Sequence, residues 1–499
     1  MRRMFLAVVP VFVVPVLAAA RDGVQEGVMA PPAPSPWMIA PFLLLLLAIA
    51  VAPFINKHWW ERWYPAVSCA LGGVTAAYYL LVLRNPERML DTALEYLSFI
   101  ALIGSLFVVA GGIHIRIKGR STPLRNLFFL AVGAVVSNIL GTTGASVIMI
   151  RPFIRVNRYR IRPFHIVFFI FIVSNMGGAL TPIGDPPLFL GYLKGVPFFW
   201  VAEHLWYKWA IGVAFVLAVF YVMDRRDFRR LPPAVRHGAE GAEEEGEASG
   251  IHNVLFLMLI LVAVFITDPP FLREALMFLA AAGSYYTTKA DIHRKNEFNF
   301  GPVREVAVLF VGIFATMVPA LDWLQLNATA IGLRTPGQFY WSTGSLSAFL
   351  DNAPTYLNFL SASFGLFVDR DIVQQVGLIV RDHGASLPAL AGVHAEEVRA
   401  TMGTLMKYHA DMVASGFVPY DEIATAYMIA NHNIYLQAIS IAAVMFGACS
   451  YIGNGPNFMV KSIAEQSGVR TPSFFGYIVR YTLPVLLPAF LLLWLLFFF

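Results

Sequence analysis

Two aspartates stand in apolar stretches of this chain, each beside residues that interrupt helices. Asp185 lies in the string TPIGDPP (181–187), and Asp351 begins the string DNAPT (351–355). A charge at membrane depth costs about 2.5–3.5 kcal/mol on insertion scales, so an intramembrane aspartate is first of all a functional candidate. Each aspartate could instead cap the helix that follows it, because aspartate accepts well from first-turn amides. Capping and ion binding do not exclude one another.

Neutral oxygen donors accompany both aspartates in the sequence. They are Asn138, Thr142, Thr143, Asn175, Thr181, Asn352, Thr355, Ser450, Asn454 and Asn457. Carboxylate, amide, hydroxyl and carbonyl oxygens are hard ligands that suit Na⁺, and a desolvated aspartate can also exchange a proton. We therefore predict that Asp185 and Asp351 bind Na⁺ and that at least one of them carries an exchanged H⁺. For any single Ser or Thr, a hydrogen bond to its own helix is the more frequent role.

Proline and glycine cluster at two places in the apolar sequence. The predicted helix breaks are Pro182, Gly184, Pro186 and Pro187 in the first cluster and Gly453, Gly455 and Pro456 in the second. Proline removes a backbone donor and glycine permits unusual dihedral angles, so both interrupt helices. Within a membrane, unwound backbone persists only where it is buried in protein or lines a polar cavity. There the freed carbonyls can hold a cation and the helix N-termini can hold an anion.

The two clusters belong to an internal repeat. GALTPIGDPPLF (178–189) aligns without gaps on GACSYIGNGPNF (447–458), and VSNILGTTGA (136–145) matches LSAFLDNAPT (346–355) more loosely. Paired, interrupted hydrophobic segments at corresponding places in two halves are the best sequence indication of the binding site of a secondary transporter.

Composition places the chain in a membrane. Hydrophobic residues make up 58% of the sequence and charged residues 13%, and apolar runs of spanning length recur throughout. The net charge of +5 is not the footprint of a nucleic-acid-binding protein, because the basic residues lie in short loops, where they set topology. Membrane lipid and a small ion or carboxylate are the expected partners. Without a Walker A motif, we expect no ATP-driven cycle and no bound cofactor besides the transported Na⁺ and H⁺.

Basic loops predict a re-entrant hairpin in each half, over 124–150 and 336–366. The loop before the first hairpin carries Arg116, Lys118, Arg120 and Arg125, and the loop after it carries Arg151, Arg155, Arg158, Arg160 and Arg162. Neither loop contains an acid, so both should face the cytoplasm, and the segment between them must enter the membrane and return. Five spans then remain in each half, and this odd number requires the second half to be inverted.

We thus predict an all-α polytopic membrane protein of two inverted repeats, each with five spans, one re-entrant hairpin and one broken helix. The predicted spans are 37–54, 64–83, 93–113, 164–190 and 205–223, then 252–268, 271–288, 303–320, 434–461 and 475–498. The predicted divisions are a signal peptide or signal anchor over 1–20, a first repeat over 37–223, a cytoplasmic linker over 224–250, a second repeat over 252–499 and an extracytoplasmic insertion over 369–430.

The strings SNMGGALTPIGDPP (174–187) and LDNAPT (350–355) resemble the ion-transporter superfamily. That superfamily includes NhaD-type sodium/proton antiporters, arsenite efflux permeases, citrate–metal symporters and divalent anion/sodium symporters. The resemblance covers roughly residues 37–499 and implies a scaffold, a mobile transport part that holds both hairpins and, in many members, a homodimer. The anion-transporting branch carries Ser-Asn-Thr in each hairpin. Here the hairpins carry SNI (137–139) and SAF (347–349), which favours the cation-antiport branch.

The sequence therefore favours a non-enzymatic secondary transporter, a sodium/proton antiporter in the inner (plasma) membrane of a bacterial-type cell. The alternative is cation-coupled transport of citrate or another carboxylate. A remote alternative is an intramembrane aspartyl protease in which Asp185 and Asp351 share a proton.

Overall fold

A computed structural model describes residues 33–116, 121–232, 247–266, 269–390 and 392–499. The predicted signal segment 1–20 lies outside these residues, as does most of the linker. The all-α prediction is confirmed, because helices dominate the described chain and eight of them are long and apolar enough to cross a membrane. One small antiparallel ribbon interrupts the helices and pairs β1 (His114–Arg116) with β2 (Glu247–Ser249). The inversion of the second half across the membrane stays a prediction.

The first half contains seven helices in the described residues. They are α1 (Ala40–Ile55), α2 (Lys57–Ala77, continued as a π-helix over Tyr78–Val82), α3 (Pro86–Gly111), α4 (Pro123–Val156), α5 (Pro163–Ile172), α6 (Pro186–Leu193) and α7 (Phe198–Arg229). Proline occupies the first turn of α3 to α6, where its missing N–H is not needed by the helix. The end of α7 at Arg229 places residue 224, the predicted start of the linker, inside a helix.

Helix α4 is a hairpin. Gly141 breaks this helix with φ 72° and ψ 155°, a backbone conformation in which a residue with a side chain would be strained. The amide of Asn126 donates to Asn157 Oδ1 at 2.8 Å, although 31 residues of straight helix would separate these positions by about 46 Å. The two arms therefore lie side by side, as the basic loops predict for this segment.

The second half contains the remaining helices of the described residues. They are α8 (Asn253–Ala263), α9 (Leu272–Thr287), α10 (Ala290–Lys295), α11 (Gly301–Leu326), α12 (Ala328–Ile331), α13 (Pro336–Ser347), α14 (Asn352–Phe367), α15 (Arg370–Arg381), α16 (Ala395–Tyr408), α17 (Ala410–Ser415), α18 (Tyr420–Phe446), α19 (Gly455–Gln466), α20 (Phe474–Tyr477, continued as a π-helix over Ile478–Leu486) and α21 (Leu487–Phe497). Helix α18 begins at Tyr420, whereas the sequence places the start of that span at 434.

Helices α13 and α14 form the second hairpin. The rings of Phe339 near its entry and Phe367 at its exit lie 6.1 Å apart, so these arms also run side by side. Helices α15 to α17 follow it and pack against the first turns of α18 through a separate small apolar core that includes Val376, Val398 and Leu405. The segment after the second hairpin is thus helical and folded onto the N-terminal end of α18.

Helices α2, α3 and α11 pack against one another beside the hairpins. A buried ion pair joins α3 to α11, where the Arg88 guanidinium donates to Asp322 Oδ1 at 3.0 Å and the Tyr79 hydroxyl donates to Oδ2 at 2.7 Å. Asp322 is paired and fully hydrogen-bonded, which is the condition under which a buried carboxylate is tolerated.

A polar network fixes the base of the first hairpin. Asp224 in α7 is fully buried and accepts from the Arg160 guanidinium, from His165 Nε2 at 3.0 Å and from the Asn126 amide at 3.0 Å. His165 is 0% exposed and Arg160 is 3% exposed. Both donate to Asp224, whose two buried oxygens require hydrogen-bond donors.

Candidate functional site

Asp185 lies at the centre of the molecule, where both hairpins and both broken helices meet. Its side chain is 1% exposed, and three neutral donors satisfy its two carboxylate oxygens. The Thr142 hydroxyl donates to Oδ1 at 2.7 Å, the Asn454 amide donates to Oδ1 at 3.0 Å and the Asn352 amide donates to Oδ2 at 2.5 Å. Three segments therefore converge on one carboxylate, although the first and the last of them are more than 200 residues apart in the sequence.

The donors come from equivalent places in the internal repeat. Thr142 and Asn352 occupy the same position in the two aligned hairpins, and each begins the returning arm of its hairpin. Asn454 occupies the position in the second break that Asp185 occupies in the first. Both Asp185 and Asn454 precede a helix with extended backbone, at φ −145° and φ −157°. Four helix N-termini therefore surround the carboxylate, and their positive ends favour an anion there.

The two aspartates differ in whether their side chains cap the helix that follows. Asp185 precedes α6, but its side chain caps no backbone N–H, and the next two residues are prolines without donors. Asp351 accepts from the Ala353 N–H at 3.0 Å and so caps α14. It is only partly buried, and no hydrogen bond joins the two carboxyl groups in the part of the chain that the structure describes.

Several predicted ligands connect the hairpins to the breaks instead of facing Asp185. Thr181 Oγ1 donates to the Asn138 carbonyl at 2.6 Å, and at the equivalent place Ser450 Oγ donates to the Ala348 carbonyl at 2.6 Å. The Asn138 amide donates to the Gly177 carbonyl at 2.7 Å, and its oxygen accepts from the backbone of Leu180. These side chains hold unwound backbone that has no helical partner, which membrane burial requires.

Two amide oxygens in the region of the breaks have no donor. Asn175 Oδ1 and Asn352 Oδ1 are buried and unpaired, although the nitrogens of both amides are hydrogen-bonded. A Cβ atom placed on Gly447 would lie 3.1 Å from Asn175 Oδ1, 3.2 Å from the Gly453 carbonyl and 3.4 Å from Asn352 Nδ2, so the Asn175 oxygen, this carbonyl and the Asn352 nitrogen border one small space. Unpaired buried acceptors are rare and call for an explanation.

The remaining predicted ligands lie at the edge of this arrangement. Thr355 donates to the Asp351 carbonyl within its own helix, and Asn457 donates to the carbonyls of Gly447 and Ser450 at 2.8 Å each. The described structure gives Thr143, which is half-buried, no side-chain hydrogen bond. Asn457 thus closes the second break, and Thr355 has the helix-internal role that is usual for threonine.

One buried charge near the breaks is missing from the sequence prediction. Lys208 lies in α7 and is 1% exposed. The signal was available, because a lysine inside the apolar run LWYKWAIGV (205–213) is itself an intramembrane ionisable residue.

Comparison with known proteins identifies the family of the chain. No curated protein matches the chain. A family model described as "Putative citrate transport" matches residues 33–498, nearly the whole sequence. The chain is a multi-pass membrane protein and belongs to this citrate transport family, a family of transporters, which confirms the resemblance to the ion-transporter superfamily.

Proposed function

We propose that this protein is a secondary transporter in which Asp185 binds a coupling cation, Na⁺, in exchange for H⁺. The observation that carries the proposal is a single carboxylate, 1% exposed, held by neutral donors at the meeting point of both hairpins and both breaks. Among the described residues, no arginine or lysine side chain donates to Asp185. A carboxylate without a basic partner can accept a cation or a proton, but not both at once.

The neighbouring oxygens suit a small hard cation. Asn175 Oδ1 and Asn352 Oδ1 lack donors, and Asp185 supplies the negative charge. Na⁺ prefers oxygen ligands of this kind, and a site with one carboxylate and several neutral oxygens binds without trapping the ion. When a proton neutralises Asp185, the site loses its charge and releases the cation. Competition between the two ions for one carboxylate is sufficient for exchange.

The test uses the purified protein in vesicles that contain a pH-sensitive dye. Addition of Na⁺ outside should draw protons out and raise the internal pH, and Li⁺ and K⁺ define the selectivity. Asp185→Asn removes the charge and the titration while keeping size and hydrogen bonding, and it should abolish the response. Asp291→Asn changes an exposed aspartate that pairs only with its neighbours Arg294 and Lys295, and it serves as the matched control. A Na⁺ response that is unchanged by Asp185→Asn would disprove the role of this residue.

Cation-coupled citrate transport is the second candidate, and two observations favour it. The family description names citrate, and the four helix N-termini around Asp185 could hold carboxylate groups of a substrate. In this case Asp185 would bind the metal or proton that accompanies the anion. The same vesicles given radiolabelled citrate, with and without Mg²⁺, separate the candidates. Citrate uptake without any Na⁺-driven change of pH would replace the antiport proposal.

A further inference from the structure

Lys208 is a cation buried in the apolar interior without a counter-charge. Its side chain is 1% exposed, and no described carboxylate forms an ion pair with it. Its ammonium group donates to Gln437 Oε1 at 2.6 Å, to the Tyr207 hydroxyl at 2.5 Å and to the His204 carbonyl at 3.3 Å. The rings of Phe497 and Phe498 lie 5.0 and 5.8 Å away. Neutral acceptors and aromatic rings therefore replace water around this charge.

The lysine occupies a position close to both helix breaks. Its neighbour Trp209 donates to the Gly177 carbonyl at 3.1 Å, which is a carbonyl freed by the first break. One turn further along α7, Gly212 packs between the side chains of Met176 and Met445, the residues that lead into the two breaks. Gln437, the partner of the ammonium group, lies in α18, the helix that ends at the second break. Lys208 thus connects α7 to the second broken helix.

Titratable side chains lie between Lys208 and the beginning of α7. His204 is half-buried one turn before Lys208, and Tyr207 touches the ammonium group. Glu203 is exposed at the helix start, where it accepts from Lys407 and Tyr408 at 2.6 Å each. The group from α18 that faces Lys208 is the neutral Gln437, and α21 contributes phenylalanine rings. The titratable groups close to Lys208 are therefore His204 and Tyr207.

We propose that Lys208 binds and releases a second coupling proton, distinct from the proton on Asp185. The proposal rests on the proton-coupled transport argued above. A lysine, unlike an arginine, can exist as a neutral amine inside a protein. The ammonium group releases one proton to water at the His204 end of α7 and becomes an amine, and it regains one proton from water in a later state of the cycle. In the charged form it donates to Gln437, so protonation strengthens the contact between α7 and α18.

The first test observes the lysine directly and needs no transport. Protein labelled with ¹³C at the lysine Cε positions is titrated from pH 5 to pH 10 by NMR, and Lys208→Arg, which keeps the charge and its hydrogen bonds, assigns the signal. We expect one resonance, absent from the variant, that changes charge state below the range of the exposed lysines. A Lys208 signal that titrates together with the exposed lysines or stays in one charge state throughout would overturn the proposal.

The second test separates a carried proton from a structural charge. Lys208→Gln and Lys208→Arg should both reduce transport driven by a pH gradient by about 100-fold, the lower range of what a positioned proton-transfer group contributes. Lys289→Gln, at an exposed lysine, is the control. If Lys208→Arg transports like the wild type and only Lys208→Gln fails, the charge is structural and the proposal is wrong. If the wild type shows no proton-coupled flux at all, the proposed function fails, whereas the NMR result still stands by itself.

Discussion

The two halves of the site share a backbone frame but differ in charge. Gly184 N–H donates to Thr181 Oγ1 at 3.0 Å in the first break, and Gly453 N–H donates to Ser450 Oγ at 3.1 Å in the second. The residue after each glycine differs, because the first half has Asp185 and the second has Asn454. The neutral amide of the second half then donates to the carboxylate of the first. The two equivalent breaks thus place one carboxylate at the centre of the site and not two, since two adjacent carboxylates would repel each other.

Moving the charge between the halves should have the largest effect. Asp185→Asn makes the two breaks equally neutral, and we expect cation-dependent transport to fall by about 100-fold or more, which corresponds to about 2.7 kcal/mol. Asn454→Asp in that background restores one carboxylate at the equivalent position and should recover part of the activity. Flux in vesicles with Na⁺ or citrate measures both variants. A double variant as inactive as Asp185→Asn would show that the halves are not interchangeable.

The single variant Asn454→Asp tests the opposite case, with two carboxylates at the centre. We expect it to be less stable than the wild type at neutral pH and to recover on acidification, because one shared proton relieves the repulsion. In the wild type, transport itself should fall at acid pH, since a proton occupies the carboxylate that the cation needs. Thermal unfolding of the detergent-solubilised protein and flux between pH 5 and pH 8 measure the two effects. Equal stability of wild type and variant at pH 8 would contradict this prediction.

Glycine substitutions compare how tightly the two breaks are packed. A Cβ on Gly184 would lie 2.1 Å from the Gly178 carbonyl, whereas a Cβ on Gly453 would lie 2.6 Å from the Gly447 carbonyl. We expect Gly184→Ala to lower the free energy of unfolding by about 3 kcal/mol and Gly453→Ala by about 1–2 kcal/mol. Gly455→Ala meets no atom within 4 Å and is the control. Thermal unfolding that ranks Gly455→Ala with the other two would refute the packing argument.

The hydroxyl groups that connect each hairpin to its break should contribute equally and least. Thr181→Val and Ser450→Ala each remove one donor to a hairpin carbonyl at 2.6 Å. Each hydroxyl also accepts from the glycine N–H of its break, so we expect each substitution to cost about 1–2 kcal/mol, given about 1 kcal/mol net for one hydrogen bond. The same unfolding assay measures both variants. A difference larger than about 1 kcal/mol between them would show that the two connections are not equivalent.

The sequence was sufficient to predict the hairpins, the breaks and the central aspartate, because these depend on local chemistry. Proline at a helix start and basic loops around a short apolar segment have direct structural consequences, whereas the break at Gly141 is known only from the structure. The directions of the polar side chains were not predictable. Nothing in the sequence shows that the Asn138 amide donates a hydrogen bond to a backbone carbonyl while the Asn454 amide donates one to a carboxylate. The start of α18 is not recognisable from hydropathy, because Asp421 and Glu422 make its first turn more polar than the rest of the span.

The buried Asp224 network determines which parts of the protein can shift independently. Asp224 of α7 holds Arg160 and His165, which flank the start of α5, and Asn126 of the first hairpin. Breaking such a network by removing one partner costs about 3–5 kcal/mol, so we expect these three helices to move as one unit in a transport cycle. We expect any sliding surface to lie outside this unit, where the first hairpin packs against α3. A crosslink between Asn126 and α7 should leave turnover intact, whereas one between the hairpin and α3 should arrest it.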